Sequence, residues 1–113
     1  MKYAIVGSRT FNDYQFLKDT LDQYDDINLI VSGGAYGADK LAERYAKEHG
    51  IDTKIFIPEW SKYGKSAGYK RNRLIIGYSD IVIAFWDGVS KGTKHDIDIA
   101  DELNIKCIIR RFK

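Results

Sequence analysis

The chain has 113 residues, a formal net charge of +2, and a composition of 44% hydrophobic and 30% charged residues. A single domain of this length can bury enough surface to fold without a disulfide or metal, and one cysteine excludes an intrachain disulfide. A charge of +2 is too small to argue for nucleic acid by itself.

Apolar runs and helical stripes alternate from end to end. Lys2–Gly7, Asn28–Ser32, Thr53–Ile57, Asp80–Trp86 and Ile105–Arg110 read as strands, and most are continuous enough in hydrophobicity to suit parallel strands covered on both faces. The first helix is predicted from an Asp13 cap, with Phe16, Leu17, Thr20, Leu21 and Tyr24 on one stripe. The second follows Gly37 and stops at Gly50, with Leu41, Ala42, Tyr45 and Ala46 inward. The third covers Ser66–Tyr78 and places Ala67, Arg71, Leu74, Ile75 and Tyr78 on one face. The fourth opens at Thr93 and carries Ile97, Ala100 and Leu103. Strict alternation of this kind implies one α/β domain over residues 1–113: a Rossmann-like three-layer α/β/α fold with a mostly parallel five-stranded sheet. Cys107 lies within the last strand as a small core residue and suits a reducing compartment. The opening Met1–Gly7 run carries no signal-peptide or membrane-spanning pattern, so the expected setting is cytoplasmic, without a membrane partner.

In such sheets ligands bind beyond the carboxyl ends of the strands, near the point where strand order reverses. The loop after strand one offers Gly7 for a tight exit, the Ser8 hydroxyl, and the Arg9 guanidinium, whose fork suits phosphate. After strand two, Ser32, Gly33, Gly34 and Gly37 surround a helix start, where free N–H groups and the positive dipole end favour an anion. Asp39, in the first helical turn, suits the dipole with or without a ligand. The connection after strand three carries Trp60, Tyr63, Lys62, Lys65, Lys70 and Arg71. Arg71 falls within an apolar stripe and needs a carboxylate or a bound anion as partner. After strand four, Trp86, Asp87, Gly88, Gly92 and Thr93 form a second glycine-flanked helix start. Thr93 and Asp96 have the spacing of a capping box, which competes with a catalytic role for Asp96. No Cys/His spacing suits a metal and no Ser-His-Asp set is legible, so neither metal nor cofactor is expected.

The stretches "GSRTF", "SGGAYGAD", "GKSAGYKRN" and "AFWDGVSKGT", in that order, span nearly the whole chain. They resemble the small YspA/YpsA-type branch of the SLOG superfamily. "SGGAYGAD" with Ala42 after it resembles the S-G-x-A-x-G-x-D-x-x-A signature of the DprA-type DNA-processing proteins, also SLOG members. Glycine loops after strands two and four, with a basic helix between, resemble the Lonely Guy phosphoribohydrolases of the same superfamily. The resemblance implies a Rossmann-like sheet and a nucleotide or nucleotide-derived ligand. The hydrolases cleave the bond between base and ribose 5′-monophosphate; Arg71 matches their arginine, Gly92 and Thr93 their Gly-Thr pair, and Asp96 falls at their catalytic glutamate. Trp86, Asp87 and Gly88 stand where those enzymes carry proline and paired glycines, and the carboxylate is one methylene shorter.

Three functions from different classes follow. The first is a binding module that captures a nucleoside phosphate or an ADP-ribose-like molecule, for sensing or sequestration, with Trp60, Trp86 or Tyr36 as stacking surfaces. The second is an N-glycoside hydrolase acting on nucleoside monophosphates through Arg71 and Asp96. The third is DprA-like binding of single-stranded nucleic acid along Lys62, Lys65, Lys70 and Tyr63. An open crevice on a small domain covers a nucleotide poorly, so a homo-oligomer, most simply a homodimer, is expected.

Overall fold

A computed structural model describes residues 1–112. Five strands, β1 (Lys2–Gly7), β2 (Leu29–Ser32), β3 (Asp52–Ile55), β4 (Ile81–Trp86) and β5 (Lys106–Arg111), form one sheet in the order β3-β2-β1-β4-β5. Every neighbouring pair is parallel. The chain steps outward from β1 through β2 to β3, then crosses back to β4 on the other side of β1. Strand order therefore reverses between β1 and β4, whose register runs from Tyr3↔Ile81 to Gly7↔Phe85.

The pleat divides the core in two. Tyr3, Ile5, Ile30, Ile83 and Phe85 face one layer, packed under α1 (Tyr14–Leu21) and α2 (Ala38–His49) through Leu17, Leu21, Ala42 and Tyr45. Ala4, Val6, Val31, Val82 and Ala84 face the other, under α4 (Ala67–Tyr78) and α5 (Lys91–Glu102) through Ile75, Ile76, Ile99 and Ala100. Full burial of a side chain such as Leu17 or Ile83 stabilises the fold by about 1.5–3 kcal/mol. At the carboxyl end of the first layer, the Phe11 ring packs on Phe85 and Phe112, each with centroids 4.8 Å apart. That cluster pins the loop after β1 to the strands behind it.

The ends of α1 and α2 follow the sequence signals. Asp13 caps α1 by accepting from the Phe16 N–H at 3.0 Å, and Gly50 closes α2 in the left-handed conformation. Three expectations are corrected. The third strand ends at Ile55, and all four of its residues are exposed, because β3 is a sheet edge rather than a strand covered on both faces. The connection after it contains a short helix, α3 (Trp60–Tyr63), and a 3-10 turn over Gly64–Ser66, so α4 begins at Ala67. On α4, Leu74 and Tyr78 are exposed, while Ile76 joins Ala67 and Ile75 in the core. The helix is rotated about the anchored Arg71 so that Ile76 meets the sheet. Among the described residues no helix is long and apolar enough to cross a membrane.

Candidate ligand-binding site

A cleft of about 510 Å³ opens at the carboxyl edge of the sheet, where strand order reverses. The loop after β1 forms one wall with Gly7, Ser8, Arg9 and Thr10. Asp39 of α2, Arg71 and Asn72 of α4 and Asp96 of α5 form the floor, and the start of α5 forms the opposite wall with Ser90, Lys91, Gly92 and Thr93. Trp60, Lys65 and Tyr69 stand at the mouth.

The loop between β4 and α5 is built by one side chain. Asp87 Oδ1 accepts from the backbone N–H groups of Val89 (2.9 Å) and Ser90 (2.7 Å), and Oδ2 accepts from the Ser90 hydroxyl at 2.7 Å. The backbone donors of Val89 and Ser90, together with the Ser90 hydroxyl, hold its carboxyl below the usual range. The resulting turn starts α5 at Lys91 with Ser90 as N-cap, which corrects the predicted start at Thr93 and removes the capping-box role proposed for Thr93 and Asp96. Thr93 lies instead in the first turn, buried against the cleft. Ser90 makes no side-chain cap bond to the helix, so the first N–H groups of α5 face the cleft at the positive end of the helix dipole. A side chain placed on Gly92 would meet nothing within 4 Å. The space beside the Gly92 α-carbon is open.

The glycine turn after β2 is occupied by the protein's own groups. The Asp39 carboxylate accepts from the Ala35 N–H at 3.2 Å and so fills the anionic place in the turn. Arg71 donates from Nη1 to the Gly33 carbonyl at 2.7 Å and to the Phe56 carbonyl at 3.4 Å, and from Nε to Asn72 Oδ1 at 2.7 Å. The sequence calls for a carboxylate or an anion beside Arg71; two backbone carbonyls and an amide satisfy it instead, with the Asp39 charge nearby. Gly33 lies under the guanidinium, and Gly37 takes a φ of +83° where a Cβ would collide with the Ser8 carbonyl. Internal close approach accounts for these two glycines.

Asp39 and Asp96 are both buried on the cleft floor. Desolvation pushes the Asp39 carboxyl up to about 6, partly offset by the Ala35 N–H and the Arg71 charge. Desolvation, reinforced by the Asp39 charge, raises Asp96 to about 7. Among the described residues Asp96 Oδ1 has no hydrogen-bond partner, and neither does the buried Ser8 hydroxyl across the cleft.

The structure thus brings Gly7, Ser8, Arg9, Asp39, Arg71, Gly92, Thr93 and Asp96 to one cleft. Other expected residues lie apart from it. Ser32 is interior, bonded to Glu43 at 3.1 Å and to the Gly34 N–H at 3.3 Å. Lys70 turns outward, 4.9 Å from the Tyr63 ring. Asp87 shapes the loop, and Trp86 and Gly88 line a second groove beyond Tyr69. Lys65, expected along a bound single strand, lines the main cleft, and so do Tyr69, Asn72, Ser90 and Lys91, which the sequence does not single out. The helical phase of α4 could have flagged Asn72 beside Arg71, and the Asp-Gly-x-Ser turn could have flagged Ser90.

Comparison with known proteins supports this architecture. The model of the YspA, cpYpsA-related SLOG family matches residues 1–63. The Gene 61 protein of Mycobacterium phage D29 is 32% identical over 117 aligned positions, covering 95% of this chain and 94% of that protein. DNA processing protein A from Streptococcus pneumoniae superposes with a TM-score of 0.83 at 23% identity, over 99% of this chain. The Helicobacter pylori protein of that name, described for its single-stranded DNA binding mode, gives 0.78 at 23% identity over the whole chain. The chain spans only 50% and 66% of those two proteins.

Proposed function

The chain belongs to the YspA, cpYpsA-related SLOG family, and from that premise we propose that it binds a nucleotide or nucleotide-derived ligand in the cleft between β1 and α5, as a sensing or sequestering module. The observation that carries this reading is the pair of unpartnered buried polar atoms, Ser8 Oγ and Asp96 Oδ1, on two residues that line the cleft. Buried polar groups are nearly always hydrogen-bonded, and two exceptions in one cleft are suited to the hydroxyl groups of a sugar. The phosphate would lie at the open N-terminus of α5, beside Lys91 and Arg9, rather than in the glycine turn that Asp39 already fills.

A thermal-shift panel of AMP, ADP-ribose, NAD, cyclic nucleotides and nucleoside monophosphates tests the proposal. Ligand at about a hundred times its Kd adds roughly 2.7 kcal/mol and should raise Tm by more than about five degrees. A flat panel overturns the reading. Recovery of the intact ligand after incubation distinguishes capture from hydrolysis at Asp96.

A second reading is binding of single-stranded nucleic acid. It is favoured by exposed aromatic rings at the cleft mouth, Trp60 at 55% and Tyr69 at 54%, with Lys65 and Lys91 beside them. A salt-sensitive gel shift with an oligonucleotide is its expected result, and no complex at low salt removes it. A homodimer would enclose the open cleft; light scattering above 13.0 kDa is the corresponding result.

A further inference from the structure

Beyond Tyr69 and Lys91 lies a second groove of about 590 Å³, lined also by Trp86, Val89, Lys94 and His95. Tyr69 and Lys91 line both spaces, so the two adjoin at the first turn of α5. Their chemistry differs. The inner cleft is lined by buried acids and hydroxyls, Asp39, Asp96, Ser8 and Thr93. The outer groove presents an indole, a phenol and a valine that is 80% exposed. Nothing among the described residues covers Val89. The groove also holds the ring of His95, set edge-on to Tyr69 at 4.5 Å, whose Nδ1 is buried without a partner.

Resting on the nucleotide-binding reading above, we infer that the physiological ligand has two nucleoside units joined through phosphate, with one unit in each space and the phosphate at the shared N-terminal turn of α5. A space of several hundred Å³ is enough for one drug-sized unit, so a mononucleotide leaves one of the two empty. The helix terminus alone would not define such a site. The second observation is Asp96, only 6% exposed, whose Oδ1 is unpartnered in the inner cleft. Lys91 stands at the junction, where a linking phosphate would pass. The Trp86 and Tyr69 rings offer the outer base apolar surface.

Two sources share this chemistry: a free dinucleotide with a 5′–5′ pyrophosphate link, and two successive residues of a single strand with a 3′–5′ link. Calorimetric titration with AMP, diadenosine 5′,5′-diphosphate and the 3′–5′ dinucleotide pApA separates them. At least one dinucleotide is expected to bind ten-fold or more tightly than AMP, and the preferred linkage names the source. Val89→Glu, which sets a carboxylate at the mouth of the outer groove without disturbing the core, is expected to collapse that difference to less than three-fold. Dinucleotides binding no more tightly than AMP would overturn the inference while leaving nucleotide binding intact. A preference that persists in Val89→Glu would overturn the outer groove as the second unit's place. Binding of none of the three would remove the underlying reading, and the inference with it.

Discussion

Arg71 is joined to Gly33 by a 2.7 Å hydrogen bond from Nη1 to the glycine carbonyl, and its guanidinium fills the space a Cβ at position 33 would need. The Nη1 atom also reaches the Phe56 carbonyl, so one side chain of α4 ties the exits of β2 and β3 together. Removing it leaves the Gly33 carbonyl without its charged donor and Asp39 without its nearest positive charge. Arg71→Ala should cost about 1.5–3 kcal/mol in urea unfolding. Arg71→Lys should recover only part of this, because a single ammonium cannot reproduce the guanidinium fork. Gly33→Ala, which drives a methyl to 2.5 Å from Nη1, should resemble Arg71→Ala in stability.

Gly37 and Gly92 make a contrasting pair. Gly37 combines a φ of +83° with contact against the Ser8 and Arg9 backbone, so Gly37→Ala should destabilise by more than about 2 kcal/mol. Gly92 lies in a helix with open space beside it. Gly92→Ala should therefore raise stability by up to about 1 kcal/mol while weakening nucleotide binding, since the methyl enters the space assigned to phosphate. Thermal unfolding with and without AMP checks both halves. A Gly92→Ala variant that binds AMP as tightly as the parent would exclude phosphate from the α5 terminus.

Much of this was legible from local pattern. The alternation of strands and helices placed all five strands within two residues at either end, because buried parallel strands and amphipathic helices leave strong periodic signals. The Asp13 and Gly50 caps are local and were equally visible. What escaped depends on contacts between distant segments. Arg71 was marked as a charge needing a partner, but its partners, the Gly33 and Phe56 carbonyls, lie 38 and 15 residues away. The start of α5 was displaced by two residues because Asp87 folds the turn through its own side chain, which hydrophobic periodicity does not record. Short elements such as α3 carry too few residues to show a period at all. Three glycines in one turn read as a phosphate cradle, whereas the fold uses two of them to bring its own backbone and guanidinium close.

The two cleft acids set the pH dependence. Asp39 and Asp96 hold their protons up to about pH 6 and 7, well above the ordinary range of an aspartate. Between about pH 4 and 7 the folded state therefore binds more protons than the unfolded chain, and stability falls as pH rises through that window. Their contribution is complete below about pH 4 and lost above about pH 8. Asp22, Glu48, Asp87 and Glu102 shift the other way, held low by Lys18, Tyr14, the Val89 N–H and Arg73 respectively. Their stabilisation is lost at the acid end as pH falls through those lowered values. The expected optimum lies between about pH 4 and 6. Asp96→Asn should flatten the alkaline side and raise stability at pH 8 by something on the order of 3 kcal/mol. Urea midpoints across pH 4–9 check this, and an unchanged slope in Asp96→Asn would mean that Asp96 titrates at its ordinary value.

Ser8 separates stability from function most cleanly. Its side chain is buried, its hydroxyl has no partner among the described residues, and the residue lines the cleft. Its backbone does the structural work, donating to the Phe85 carbonyl and accepting from the Phe11 N–H, both at 3.1 Å. Ser8→Ala keeps those bonds and removes a buried hydroxyl that contributes nothing to the unliganded fold. Stability should stay within about 1 kcal/mol of the parent, with any change upward. Affinity for AMP should fall about five- to ten-fold, the measure of one neutral hydrogen bond. The reverse result, an unfolded variant or one with unchanged affinity, would place the hydroxyl's partner within the protein and leave the cleft without its donor on the β1 wall.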